Sequence, residues 1–442
     1  MRLVVIGGNA TGLSGASKVR RERPDFEIVV YEKTDEISYS QCGMPYYVGG
    51  LYDDKETLFV KKPEDFQKDD IDVKIFHEVI DIDFDSKRVK VKDLNNDKEF
   101  EDTYDYLLIA TGAKAKIPKI PGVNLQNVHV LKHIYHAVDI KENIEKKDIK
   151  DIVIVGGGYV GLEVAESMIE QGKNVRIIHR PKRLMEIADE EFSDIIEEHL
   201  KSFNIKIHKE ESLEEIIGDK KVEKIKTDKG EYPCDLLILS IGIAPNTDFI
   251  KGQDLKMEKG IIVTDRYGRT SRENVYSGGD CAFVYNRLKD DYEYIPLGTY
   301  ANKIGRVCGI NISGGNTAYR GGIGTSVVKI LDLTYGKTGI TDKDGEKLGL
   351  SLKSKMITTY SHAKTYPGSE KIHIKLFYDE KKIYGVQMIG KKGVAKRLDI
   401  FVLAIEHSIS LEDLNYADFC YAPPYATPWE AVNIAAGAIN EK

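Results

Sequence analysis

Two short apolar runs, each breaking into a glycine-rich turn, constrain this chain more than any other feature. Leu3–Ile6 has the continuous apolar character of a buried parallel strand. It leads into Gly7-Gly8-Asn9-Ala10-Thr11-Gly12 and a helical stretch ending near Arg21. A second apolar strand, Ile28–Tyr31, ends at Glu32, about 20 residues on, which is the layout of a dinucleotide site. Glycine makes the turn, the helix amino terminus takes a pyrophosphate, and the acid takes a ribose hydroxyl. Asn9 stands where the middle glycine is usual. The second copy has every glycine. Asp151–Val155 runs into Gly156-Gly157-Gly158-Tyr159-Val160-Gly161, a helix is expected over Leu162–Gln171, and a strand over Val175–Ile178. No acid follows that strand. The chain reads His179-Arg180-Pro181-Lys182-Arg183, a basic cluster that would attract a ribose 2′-phosphate where a carboxylate would repel it. NADPH is therefore expected over NADH, without exclusivity.

Further segments fit a chain that binds two dinucleotides. Leu107–Ile109 breaks at Thr111-Gly112, Leu237–Leu239 breaks at Gly242, and Val275-Tyr276-Ser277 ends in Gly278-Gly279-Asp280. The last part reads differently. Ile372–Tyr378 and Ile383–Ile389 flank Asp379-Glu380-Lys381-Lys382 as a hairpin, and Val394, Leu398, Phe401, Val402 and Ile405 fall at helical spacing. The expected fold class is α/β, with two Rossmann-like dinucleotide-binding domains and a C-terminal α+β module. Lys plus Arg number 64 against 71 Asp plus Glu, a net charge of −7, which argues against a nucleic-acid binder. The longest apolar run, around Leu236–Leu239, is far too short to span a bilayer. Five cysteines, at 42, 234, 281, 308 and 420, show neither metal-ligand spacing nor a disulfide framework. With no leader-like amino terminus, a reducing, cytoplasmic setting is expected.

This arrangement resembles the flavoprotein disulfide reductase superfamily over essentially the whole chain. The resemblance implies FAD on the first turn, with Gly7, Asn9, Gly12, Glu32, Thr111, Gly112 and Asp280 around it, Asp280 holding the ribityl chain. It implies the nicotinamide nucleotide on Gly156, Gly158 and Gly161, with Tyr159 shielding the ring, Glu163 orienting the nicotinamide, and His179 and Arg180 near the ribose. It divides the chain into an FAD-binding domain (1–112 and 243–322), an NAD(P)H-binding domain (113–242) and a dimerisation domain (323–442).

Cys42, in Ser38-Tyr39-Ser40-Gln41-Cys42-Gly43-Met44-Pro45-Tyr46-Tyr47, is the expected reactive thiol. Polar neighbours, a following glycine and its place just beyond the first fingerprint favour that reading over a small buried hydrophobe. Dithiol members of the superfamily carry a second cysteine five positions on, where this chain has Tyr47. A single cysteine must instead cycle through a mixed disulfide or a sulfenic acid. The match narrows to the single-cysteine subgroup, which holds coenzyme A disulfide reductase, NADH oxidase, NADH peroxidase and persulfide reductases. The peroxidase and water-forming oxidases place a histidine where this chain has Ala10, which removes an acid for peroxide cleavage.

His362-Ala363-Lys364-Thr365-Tyr366-Pro367-Gly368, Tyr421-Ala422-Pro423-Pro424-Tyr425 and Val19-Arg20-Arg21 resemble the coenzyme A disulfide reductase pattern. Departures are Gln41, where asparagine is common, and Lys364-Thr365. By resemblance Tyr366 and Tyr421 lie near the cysteine of the other subunit in a homodimer with shared active sites. Arg20 and Arg21 approach coenzyme A phosphates, and Ser38 and Gln41 flank the substrate. The expected reaction is FAD-dependent reduction of coenzyme A disulfide by NAD(P)H. An NAD(P)H oxidase, a polysulfide or persulfide reductase, and a flavin-binding redox sensor are the alternatives.

Overall fold

Alternate residues of the first two strands serve two different cores. Leu3, Val5, Ile28 and Val30 join one buried cluster, and Val4, Ile6, Val29 and Tyr31 join the other. A strand covered on both faces reads as a continuous apolar run because both sets of side chains must be apolar. The computed structural model describes residues 1–440 and divides into two units. One comprises Met1–Lys119, His129–Lys146 and Leu239–Gly322, the other Ile120–Val128, Lys147–Ile238 and Ile323–Lys442.

In the first unit a five-stranded sheet runs in the order Val275–Ser277, Tyr106–Ile109, Arg2–Ile6, Glu27–Tyr31, Ile71–Lys74. Every pairing in it is parallel. Helix Ala10–Glu22 packs on helix Gly298–Ile312. Their approach is backbone to backbone. A Cβ on Gly305 would run into the Thr11 carbonyl, and one on Gly309, a helical turn later, would meet the Gly15 carbonyl at 2.7 Å. A three-stranded antiparallel sheet, His77–Asp83, Arg88–Asp93 and Lys98–Thr103, contributes Val79, Ile82, Val89 and Val91 to the second core.

A second five-stranded sheet has the order Lys206–Lys209, Asn174–His179, Asp151–Val155, Leu236–Leu239, Val128–Val130. Helix Tyr159–Glu170 starts directly on the glycine turn, earlier than the expected Leu162. The C-terminal module is a five-stranded antiparallel sheet in the order Ser326–Ile330, Leu333–Gly339, Ile383–Gly390, Lys371–Tyr378, Lys353–Tyr360. The expected hairpin is its centre. Helix Val394–Glu406 lies against it and buries Val394, Leu398, Phe401 and Ile405, with Val402 half-buried. Among the described residues no helix is long and apolar enough to cross a membrane.

The glycine contact between the two helices gives a stability test. Gly305→Val should drive the backbones apart and cost about 1–3 kcal/mol, as overpacking does, read as a lower denaturation midpoint. Gly298→Ala, where nothing lies within 4 Å of the added Cβ, should leave the midpoint unchanged or slightly raised.

Candidate active site

The two glycine turns are built alike. Gly7 and Gly156 have φ of +112° and +116°, left-handed values that favour glycine. A Cβ on Gly7 would strike the Ala110 carbonyl, and one on Gly12 would strike the carbonyl of Gly7. Asn9 sits at φ −130°, ψ −151°. That is ordinary extended backbone, so a side chain is accommodated where the middle glycine is usual. The helices that follow, from Ala10 and from Tyr159, carry no side-chain cap and no acid in their first turns. Their uncapped N–H groups make a ready site for a pyrophosphate.

Both turns fit a dinucleotide. At the first, the Thr111 hydroxyl is buried and meets no hydrogen-bond partner nearer than the buried Cys281 thiol. A bound ligand would supply one. At the second, Gly158 has nothing within 4 Å of its Cβ direction, leaving room for a close approach. Gly112 is equally open. Glu32 ends its strand as expected, and its carboxylate accepts from the Gly8 N–H (2.8 Å) and from the Thr34 N–H and hydroxyl (2.9 and 2.8 Å). Asp280 pairs with Lys132 at 3.0 Å.

Cys42 is exposed, on the single turn Gln41–Gly43 that runs into helix Met44–Val48. Its segment is held at several points. The Ser38 N–H donates to the Gly8 carbonyl (3.0 Å), the Ser40 N–H to Leu58 (2.8 Å), and the Val60 N–H to Ser38 (2.8 Å). Ser38 takes φ +51°. Tyr39 is buried, with its hydroxyl 3.3 Å from His133 Nδ1. A Cβ on Gly43 would run into Leu58 and crowd Ser40, so glycine lets these side chains pack closely there. Tyr47, at the position of a second thiol in the dithiol enzymes, is buried beneath the Lys141 ammonium at 4.2 Å. Cys234, Cys281 and Cys308 are buried, and burial raises the pKa of each, that of Cys234 to about 12. They stay protonated and inert at neutral pH.

Two residues expected at ligands make contacts within the chain. Both ring nitrogens of His179 are engaged by backbone groups. Its ring is buried, with Nδ1 taking the Gly157 N–H at 3.0 Å and Nε2 2.8 Å from the Arg183 carbonyl. Arg180 beside it is exposed, and Arg183 pairs with Glu190 at 3.4 Å. Arg20 is likewise occupied, its guanidinium donating to the carbonyls of Pro24, Phe26 and Asp70 at 2.6–2.9 Å. Arg21 is exposed. It shares its surface with Arg306, since both act electrostatically on Glu22, whose carboxyl Lys18 holds below the usual range. Arg306, which sequence reasoning did not single out, lies on the helix packed against that of Arg21.

Tyr159 donates to or accepts from Ser326 Oγ at 2.6 Å. Glu163, one turn further on, is pushed up to about 7 by burial and by the Glu166 carboxylate. Tyr366 and Tyr421 are 45% and 50% exposed, on separate loops that one buried residue ties together. Arg397 pairs with Glu430 and donates to the carbonyls of Ser361 (2.8 Å) and Tyr425 (3.3 Å). His362 adds an edge contact to the Tyr366 ring at 5.7 Å. Arg397 was not singled out from sequence, because its partners are remote along the chain.

The family profile described as pyridine nucleotide-disulphide oxidoreductase matches residues 1–304, and that of its dimerisation domain matches residues 325–432. The chain is 38% identical to an NAD(P)H sulfur oxidoreductase (CoA-dependent) of Pyrococcus abyssi, over 99% of this chain and 98% of that one. It is 29% identical to a coenzyme A disulfide reductase of Staphylococcus aureus, over 98% of each. A crystal structure of an engineered water-forming NADPH oxidase, made from the Lactobacillus brevis NADH oxidase and bound to NADPH, superposes with a TM-score of 0.94. Its identity is 32%, covering 100% of this chain and 98% of the other. The chain thus belongs to the pyridine nucleotide-disulphide oxidoreductases, enzymes that use FAD and NAD(P)H on paired Rossmann-like domains.

Proposed function

We propose that this enzyme reduces coenzyme A disulfide, or a closely related low-molecular-weight disulfide, with Cys42 as its redox-active sulfur. The observation that carries the reading is the Ser38 to Gly8 hydrogen bond, which hangs the exposed thiol's segment from the first glycine turn. FAD is assigned to that turn, with Glu32, Thr111, Gly112 and Asp280 around it, and NAD(P)H to the turn at Gly156. Bound there, the two groups would supply a hydride's two electrons for reduction of a sulfur. The domain division is taken as 1–112 with 243–322, 113–242, and 323–442.

Cys42 as thiolate attacks one sulfur of the substrate disulfide, forming a mixed disulfide and expelling one coenzyme A thiolate. Two electrons then cleave the mixed disulfide, releasing the second thiol and restoring Cys42. Tyr47, at the position of a second thiol, leaves none on the Cys42 segment itself to resolve the intermediate, so the leaving sulfur needs hydrogen-bond donors. Tyr366 and Tyr421 are assigned that role toward Cys42 of the partner subunit. Tyr366, Tyr421, Tyr425 and Trp429 are all at least 45% exposed, an aromatic surface of the kind a second copy covers. Arg21 and Arg306 are the candidate contacts for the coenzyme A phosphates, with Ser38 and Gln41 beside the sulfur. The enzyme is placed in the cytoplasm as a homodimer. The name of the Pyrococcus relative, a CoA-dependent sulfur oxidoreductase, makes a sulfur chain such as polysulfide the second substrate to test, and Ala10 weighs against oxygen or peroxide as the main oxidant.

Cys42→Ser should keep FAD and its bleaching by NADPH, yet lose disulfide turnover in an absorbance assay. Retained coenzyme A disulfide reduction would refute the scheme. Assays of wild-type enzyme with coenzyme A disulfide, polysulfide, oxygen and peroxide rank the oxidants.

Arg180→Ala should raise the KM for NADPH about ten-fold and leave that for NADH nearly unchanged, since a charge-assisted contact is worth ~1.5–3 kcal/mol. Equal changes would make Arg180 a surface residue only.

Mixing Cys42→Ser with the double variant Tyr366→Phe and Tyr421→Phe, after dissociation and reassembly, should return part of the activity. Each mixed dimer then holds one complete site. No recovery in confirmed heterodimers would assign the tyrosines to their own chain.

A further inference from the structure

The two turns share a detail that the sequence conceals. In the first, the N–H of the second glycine, Gly8, is held by the Glu32 carboxylate at the end of the neighbouring strand. In the second, the equivalent N–H, that of Gly157, is held by His179 Nδ1, also at the end of the neighbouring strand. The proton positions follow from the partners. An N–H can only donate, so Nδ1 is bare, and the Arg183 carbonyl can only accept, so Nε2 carries the hydrogen. The ring is therefore the neutral imidazole, and burial lowers its pKa in the same sense.

The rest of the turn is equally fixed. The Gly157 carbonyl accepts from the Met185 N–H at 2.8 Å, and Leu184 fills the space where a Gly157 side chain would lie. Leu184 is itself held by the Ser193 hydroxyl at 2.8 Å. His179 is thus one half of a bracket around Gly157, while Gly158 faces open space.

We propose that His179 is a positioning residue that replaces the usual strand-end carboxylate. It keeps the hydrogen bond that braces the phosphate turn and removes the negative charge that would repel a ribose 2′-phosphate. This device, distinct from any direct contact by Arg180, lets one turn accept NADPH as well as NADH. The inference rests on the assignment of the nicotinamide nucleotide to this turn, but not on Cys42 chemistry.

Equilibrium binding of NADPH and NADH, without disulfide substrate, tests it in FAD-loaded variants. His179→Ala should weaken both nucleotides by a similar factor, because the brace is lost for both. His179→Glu, which restores the acceptor of the first turn, should recover NADH affinity while weakening NADPH at least ten-fold. Rescue of NADH by the glutamate is a result that simple loss of packing would not produce. An alanine variant that loses only NADPH would make His179 a direct phosphate ligand and overturn the proposal. So would a glutamate variant that binds NADPH as the wild type does, or one that fails to recover NADH while retaining FAD and the wild-type melting temperature. Binding of neither nucleotide by wild-type enzyme would instead remove the site assignment on which the proposal stands.

Discussion

The two assigned cofactor sites both depend on bringing a bare helix end close to a phosphate. The N–H groups at a helix start are the strongest fixed positive field that backbone alone supplies. They are useful only if nothing stands in front of them. Gly7 and Gly156 therefore take conformations unsuited to side chains, and the helices from Ala10 and Tyr159 begin without caps or acids. In the first unit the strand end, the turn and the helix are locked in turn by the Gly305 and Gly309 contacts with the second helix. The sheet is the rigid part and the turn is its working edge.

Much of that was legible in the amino-acid sequence, because glycine spacing and apolar runs report backbone demands directly. The strands Arg2–Ile6, Glu27–Tyr31 and Asp151–Val155 fall within a residue of where the apolar runs place them. The C-terminal hairpin does the same. Helix Tyr159–Glu170 begins three residues before the expected Leu162, since Gly-Tyr-Val-Gly reads as loop by propensity while the turn itself starts the helix. Local preference is a weak guide where tertiary packing decides.

Side-chain direction was the illegible part. His179 and Arg20 both belong to basic stretches that read as ligand contacts, and both are turned onto backbone carbonyls or amides of their own chain. Which way such a residue faces depends on unpaired groups that lie elsewhere in the fold, which no local pattern encodes. The same reasoning explains what was missed. Arg306 gains its place from a helix pairing, and Arg397 from two loops whose carbonyls need a donor. A buried guanidinium with a carboxylate and several carbonyls is stable only when all its partners are present. Arg397 therefore ties the two tyrosine loops to each other.

The hydrogen bond from Ser38 to Gly8 has a wider consequence. The strand-to-helix turn assigned to FAD and the segment bearing the thiol are neighbours through this backbone hydrogen bond. A shift of one is therefore passed to the other, against the bonds to Leu58 and Val60 that also hold the segment. An emptied protein would present Cys42 on a looser tether, open to alkylation or to oxidation along the sulfenic acid ladder. The prosthetic group would then act as a chaperone for the sulfur it serves. A thiol-labelling reagent would read, through the rate at which it reacts, how fully a preparation is loaded.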